Sequence, residues 1–489
     1  MVFSDGQSGY PMAKDLEGML KELQKLLGDR FLTGEADRYC YATDSSIYRS
    51  MPDAVAIPIN TEEVVKIVKL ANKYEVPLVP RGGGTGLCGA AVAIHGGIII
   101  DMQKMAKIKE VHPESLYCTV EPGVVYDDLI RALKPHGFTF PTAPGSGEAC
   151  TIGGMVALNA SGMRAIKYGA TRDYVLALEV VLPSGEVCRC GTHTLKNSSG
   201  YQLEKLFVGS EGTLGIITEI TLKIVILPKS RAVALATFDS MEKAGQTVSN
   251  IIAKPVIPSS MELMDHTCIE VANKGANAGF PDVAGLLIIE CDGEIEGVRR
   301  EMKSVEEVVR KSGALNFEST EDPKVFNRWH DGRQSILPAL GRLKPELKIV
   351  SLADDMAIPI ANIGKTVMAF DKIAKKNNII VATYGHASDG NLHTKLLIDP
   401  TKPEDWKRAE RTVEEIYKAV LELDGTVSGE HGIGVSKAPY FMNERRSAIG
   451  VMKAIKRALD PKNIMNPGKM FDWEKKGIMG PLRYPAEVE

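Results

Sequence analysis

The chain of 489 residues reads as an α+β protein of two or three domains, and three observations support this. Its length exceeds what one hydrophobic core commonly organises. As far as residue 227, short apolar runs alternate with helical stripes and are punctuated by four clusters of Gly, Ser, Thr and Asn. From Lys229 onward, helical segments alternate with short strands, the texture of an antiparallel sheet flanked by helices, with the helices expected on one face.

Taken in order, residues 1–14 contain Asp5, Gly6, Gln7 and Pro11 and no apolar stretch suited to a secretion signal. Residues 62–74 place Val64, Ile67, Val68 and Ala71 at i, i+3, i+4 and i+7, a helical stripe, with Thr61 as the expected cap. The helix delivers the chain to a short strand over 76–79 and then to Pro80, Arg81, Gly82, Gly83, Gly84, Thr85, Gly86 and Leu87. A strand running into such glycines suggests backbone amides wrapped round phosphate oxygens. It is neither a P-loop, which needs Gly-Lys-Ser/Thr, nor a dinucleotide fingerprint, which opens a long helix; here residues 98–101 form another strand. Three further clusters, at 141–154, 159–162 and 209–215, imply a long ligand touched by backbone at many points. Residues 216–226 read as a strand. Pro228 marks the expected boundary, followed by helices over 241–252 and 298–311 and a strand over 285–290. Segments 404–423 and 444–458 read as ordinary solvated helices, and 475–489 as a loosely held tail.

The 59 basic and 62 acidic residues nearly balance, which argues against a nucleic-acid footprint or a polybasic membrane patch. No run approaches 18 uninterrupted apolar residues, so no transmembrane segment is expected. A soluble, cytoplasmic protein is the default, reaching a membrane only through a partner. The eight cysteines lack any Cys-x-x-Cys spacing, which removes an iron–sulfur or zinc-ribbon reading and leaves them reduced.

The segment 384–393 and the later Gly429-Glu430-His431-Gly432 concentrate the chemistry. Residues 379–383 and 394–398 are β-branched and apolar, and Ser388-Asp389-Gly390-Asn391 between them is turn chemistry, so a hairpin is expected. Its mouth carries His386 and His393. Two histidines and a carboxylate, Glu430, are a ligand set for a divalent transition metal such as zinc, iron or manganese. His431 is then free to move protons. Taken alone, such histidines read equally as surface or core residues beside a glycine-rich loop.

Together, residues 80–89, 151–162, 168–173, 209–221, 385–393, 429–434 and 463–469 closely resemble the FAD-linked D-2-hydroxy acid dehydrogenases. These include the glycolate oxidase flavin subunits and D-lactate dehydrogenases, and belong to the vanillyl-alcohol oxidase / p-cresol methylhydroxylase flavoproteins. The resemblance implies a two-subdomain FAD-binding fold over 1–228, a cap over 229–428 and a segment over 429–474 that completes the FAD and active sites. The loop from Pro80 to Leu87 would hold the FAD pyrophosphate. Pro144, Gly145, Thr151, Gly153, Gly154, Asn159, Ser161 and Gly162 match positions along the flavin and ribityl chain. Glu211, Gly215 and Ile217 match the adenosine side, and Asn466 returns to the isoalloxazine. No histidine occurs from Arg81 to Gly89, so the FAD is expected to be noncovalent.

The same resemblance makes His386, His393 and Glu430 metal ligands, His431 the base and Arg333 the carboxylate anchor. The chemistry fits those roles independently. A 2-hydroxy acid must lose a proton from oxygen and a hydride from C2 to flavin N5. A cation lowers the hydroxyl pKa, an imidazole accepts the proton, and an arginine fork matches a carboxylate. Ser388 and Met155 depart from residues usual in the family. Electrons would pass to an iron–sulfur subunit, an electron-transferring flavoprotein or a quinone. A catalytically silent flavin electron-transfer or assembly subunit, and a metal hydrolase using the same ligands, are the alternatives.

Overall fold

The computed structural model describes residues 15–471; the stretch read for a secretion signal and the expected tail lie outside the described residues. The helix expected over 62–74 runs Thr61–Tyr74 and buries Val64, Ile67, Val68 and Ala71, as its stripe requires. Its cap is Asn60 rather than Thr61: the Asn60 side chain accepts the amide of Glu63 at 2.9 Å. The following strand is Leu78–Arg81, two residues later than its apolar run suggested, because Pro77 has no N–H to give a ladder. It lies parallel to Ile98–Asp101, which also pairs with Ala54–Ala56. Parallel pairing leaves the strand to empty its C-terminal end into the glycine loop.

A five-stranded antiparallel sheet follows, in the order Ile108–His112, Tyr117–Val120, Ile216–Lys223, Val175–Val181 and Val187–Gly191. The single strand expected over 216–226 breaks at Ile224, whose amide turns to the carbonyl of Leu116 at 2.9 Å. The remainder, Val225–Ile226, pairs with Phe138–Thr139.

From Ser230 the chain builds an antiparallel sheet in the order Asn316–Thr320, Ser230–Phe238, Gly285–Gly293, Ser260–Asp265, Ile380–His386, Asn391–Ile398 and Lys348–Val350, with Met356–Ala357 beside Asn391–Ile398. Helices Met241–Ile252, Ile295–Lys311, Ile363–Asn377 and Pro403–Glu422 bury one face. The expectation of helices on one face alone is corrected: His266–Ala276, Pro323–Gln334 and Ile336–Leu340 cover part of the other. Two helices stand here, Ala438–Glu444 and Arg446–Leu459, and the second matches the one expected over 444–458. The second is not merely solvated, since its Lys456 is buried and donates to the carbonyls of Thr213 and Met465.

A buried ionic seam joins the short helix Ala165–Tyr168 to this sheet. Arg164 reaches Glu290 at 3.2 Å, and Lys167 and Tyr168 reach Asp292 at 2.7 and 2.8 Å. Among the described residues no helix is long and apolar enough to cross a membrane.

Candidate active site

The predicted hairpin is present, with strands Ile380–His386 and Asn391–Ile398 joined by a tight turn over Ala387–Asp389. Gly390 closes the turn at φ +82°, and a Cβ there would meet the carbonyl oxygen of Ile358 at 1.9 Å, so only glycine fits. Tyr384 pairs with His393 and His386 with Asn391. The two histidines are therefore diagonal neighbours on one sheet face, with ring centroids 5.1 Å apart. Strand alternation adds Lys395 to that face, and Glu262, paired with His386, supplies a carboxylate from the next strand.

Glu430 and His431 arrive on a loop that Asp355 shapes. Its Oδ1 accepts the Glu430 amide at 2.9 Å and Asn391 Nδ2 at 2.9 Å. Its Oδ2 accepts the His431 amide at 2.8 Å, Ser428 Oγ at 2.8 Å and Lys437 Nζ at 2.7 Å. Gly432 follows at φ +79°, where a Cβ would press on Glu211 Oε1 at 2.9 Å. Both Glu430 and His431 are thereby turned toward the hairpin.

Glu430 Oε1 lies 3.5 Å from His386 Nε2, 3.5 Å from His393 Nε2 and 3.7 Å from His431 Nε2. Two donors each bound to zinc at roughly 2.1 Å in a tetrahedron stand about 3.4 Å apart. The spacing therefore suits atoms sharing a cation better than direct hydrogen bonds. The outer ring nitrogens are also held: His386 Nδ1 is 2.6 Å from Glu262 and His393 Nδ1 is 3.3 Å from Asp354. Such contacts direct each Nε2 lone pair inward. A different quartet, Asp355, His393, Glu430 and His431, brings one donor atom each within 4.8 Å of the others. Five donors already fill Asp355, so His386, His393 and Glu430 keep the freer lone pairs.

Charge follows the same pattern. Burial alone would raise Glu262, but His386 and Arg333 hold it down at about 2. Burial, seconded by the neighbouring His386 and His431, lowers His393, which favours the neutral imidazole a metal needs. His431 stacks on His393 with centroids 5.2 Å apart. Its buried Nδ1 has no hydrogen-bond partner; Asp354 and Asp355 face it at 3.6 and 3.8 Å. Arg333, in the last turn of Pro323–Gln334, donates Nε–H to Glu262 at 2.7 Å and lies 4.5 Å over the Tyr384 ring.

Some of the residues expected to hold the cofactor meet elsewhere. Pro80, Arg81, Gly82, Thr151, Gly153, Gly154, Gly215 and Ile217 line one open groove. Among the described residues no protein acceptor meets the amides of 82–87, as an anion-binding loop requires. Asn466 donates to the carbonyls of Ala90 and Glu211, leaving its buried Oδ1 without a protein partner. Those free donors and that free acceptor fit a large polar cofactor such as FAD. Pro144, Gly145, Asn159, Ser161 and Gly162 stand outside the groove wall, around the end of helix Ile152–Leu158. Glu211 spends both side-chain oxygens on the amides of Ile433 at 2.6 Å and Gly434 at 2.8 Å. Cys88 is buried, with its thiol near the carbonyl of Gly432 at 3.3 Å, and burial pushes it up to about 12.

Sequence reading missed Glu262, Asp354, Asp355, Lys395 and Lys437. The signal was faint: Glu262 alternates with apolar residues in a strand, and Asp354-Asp355 interrupts the apolar run from Ile349 to Ile358.

The chain matches the FAD binding domain family over residues 52–191 and the C-terminal domain of FAD linked oxidases over 227–470. It is 41% identical over 446 residues to the glycolate oxidase subunit GlcD of Bacillus subtilis, covering 91% of this chain and 94% of that protein. It is 34% identical over 457 residues to the mitochondrial D-lactate dehydrogenase [cytochrome] of Arabidopsis thaliana, covering 93% and 80%. The solved structure of p-cresol methylhydroxylase with substrate bound superposes with a TM-score of 0.76 at 18% identity, covering 94% of this chain and 98% of that one, a likeness of fold. The chain belongs to the FAD-linked oxidases, together with the glycolate oxidase GlcD subunits and the D-lactate dehydrogenases, and it has the fold of p-cresol methylhydroxylase.

Proposed function

We propose that the protein oxidises a D-2-hydroxy acid of the D-lactate or glycolate class to the 2-oxo acid, with a divalent cation at His386, His393 and Glu430. The observation that carries the metal-assisted site is the convergence of three imidazole Nε2 atoms on one oxygen of Glu430, at 3.5, 3.5 and 3.7 Å. The names of the relatives support the substrate class.

Bound FAD supplies the acceptor for the C2 hydride, and a bound cation lowers the pKa of the substrate hydroxyl. The chain's residues do the rest. Arg333 keeps its terminal guanidinium nitrogens for the carboxylate while Glu262 fixes Nε and Tyr384 fixes the plane. His431 takes the hydroxyl proton at Nε2, and Asp354 and Asp355 face the opposite ring nitrogen. Residues 15–228 hold the flavin, 229–428 form the cap, and 429–471 complete both sites. A metal hydrolase leaves the cofactor groove and its open amides without a purpose. The cysteines, all unpaired, offer no cluster, so the electrons leave for a partner protein or a quinone.

Anaerobic mixing with a panel of D- and L-2-hydroxy acids tests the reading, with metal content measured on the same sample. D-acids should bleach the flavin in proportion to metal occupancy. Bleaching by L-acids alone, or equal bleaching after complete metal removal, would overturn it.

A further inference from the structure

We propose that a hollow beside the active site receives the substrate's side chain, and that the preferred substrates are D-2-hydroxy monocarboxylic acids with an aliphatic side chain longer than that of lactate. This rests on the dehydrogenase reading above. The hollow, of about 180 Å³, lies between Ile47, Tyr48 and Leu87 on one side and Leu337, Ile349 and Leu352 on the other. An apolar cavity of roughly 150 Å³ accommodates a benzene ring, so a chain of several methylenes has room.

Its position follows from one sequence neighbour and two chains of contacts. Leu337 stands four residues beyond Arg333, at the start of the next short helix, Ile336–Leu340. Ser351, also in the wall, accepts Lys395 Nζ at 3.1 Å; Lys395 pairs with Asp354, and Asp354 reaches His393 Nδ1 at 3.3 Å. Leu87 precedes Cys88, whose thiol meets the carbonyl of Gly432, next to His431. The carboxylate anchor, a metal-side histidine and the base thus each have a near neighbour in this wall. Of the residues assigned to FAD only Leu87 takes part, so the space is distinct from the cofactor groove.

The lining also sets the class of side chain. Apolar residues and serines form it, and none of the lining residues is Lys or Arg. The nearby cation Lys395 is already matched by Asp354. A second carboxylate placed here would lose water and meet hydroxyl groups but no unmatched cation, whereas each buried methylene is favourable.

The test is a steady-state series on FAD-loaded, metal-replete enzyme with glycolate, D-lactate, D-2-hydroxybutyrate, D-2-hydroxypentanoate, D-2-hydroxyhexanoate and D-2-hydroxyglutarate. From lactate onward kcat/KM should rise about fourfold per added methylene, and D-2-hydroxyglutarate should fall below D-2-hydroxypentanoate, which has the same number of carbons. Leu337→Trp, checked for bound FAD, should lower the ratio of kcat/KM for D-2-hydroxyhexanoate to that for glycolate at least tenfold; Ile349→Trp provides an independent filling of the same space. A maximum at glycolate or lactate, or a preference for D-2-hydroxyglutarate, overturns the side-chain subsite while leaving the dehydrogenase reading intact. Failure of every acid to reduce the flavin overturns both.

Discussion

Glu262 accepts the Nδ1–H of His386 at 2.6 Å and, through its other oxygen, the Nε–H of Arg333 at 2.7 Å. One buried carboxylate therefore orients a candidate metal ligand and the candidate substrate anchor together. That contact keeps the Nδ1 proton on the Glu262 side and aims Nε2 at Glu430; burial would lower the imidazole, but Glu262 and Glu430 raise it well above its ordinary value, so a cation binding at Nε2 would displace a proton there.

Glu262→Gln should weaken metal binding by 10- to 100-fold, roughly the range for loss of an outer-shell partner, and raise KM for the hydroxy acid. Metal titration of the stripped protein, followed by kinetics at saturating metal, separates the effects. Unchanged metal affinity would mean that His386 needs no orienting carboxylate.

Glu430 and His431 are adjacent residues with different assigned tasks. Glu430→Gln should lower metal occupancy, with partial recovery of rate when metal is added. His431→Ala should retain metal and substrate yet slow flavin reduction by roughly 10² to 10⁴. Stopped-flow reduction with metal analysis on both variants checks this, and matching phenotypes would refute the division of labour.

The hairpin and the histidines at its mouth were legible because they are local: residue type, alternation and turn chemistry all lie within 379–398. The helix Met241–Ile252 was likewise fixed by its own stripe. Glu262, Asp354 and Asp355 were not legible because their roles depend on strand register between distant segments. Asp355 resembles any loop acid until Glu430, His431 and Lys437 close on it. The Asn60 cap was missed for a smaller reason, since Asn and Thr are both good caps and only the side-chain bond distinguishes them.

Acid precipitation should release the flavin intact. No histidine lies between Arg81 and Gly89, and Cys88 is a buried thiol with little thiolate character near neutrality. Absorbance at flavin wavelengths should partition to the supernatant; colour retained in the pellet would point to a covalent bond.

The seam at Glu290 predicts acid sensitivity. Burial would raise this carboxyl, but His330, Arg164 and Arg231 hold it at about 2, against 4.5 for an ordinary glutamate. Between those values the unfolded chain binds more protons than the folded one, so stability declines as pH falls from 4.5 toward 2. Arg164→Gln should shift that decline to higher pH in a series of thermal melts. Superimposable melting profiles would show that Arg164 does not hold the charge.

The clasp between Glu211 and the amides of Ile433 and Gly434 spans 222 residues of sequence. A ribosome adding roughly 5 to 20 residues per second needs about 10 to 45 s to cover that interval. Throughout it the Glu211 carboxylate lacks the donors that justify its burial, and Asp355 similarly awaits Glu430 and His431. The growing chain thus holds two acidic sockets open until residues 430–434 emerge. A chain halted before Gly429 would leave Glu211 without both of its amide donors and Asp355 with only Asn391 and Ser428, so neither carboxylate could be buried at its full complement.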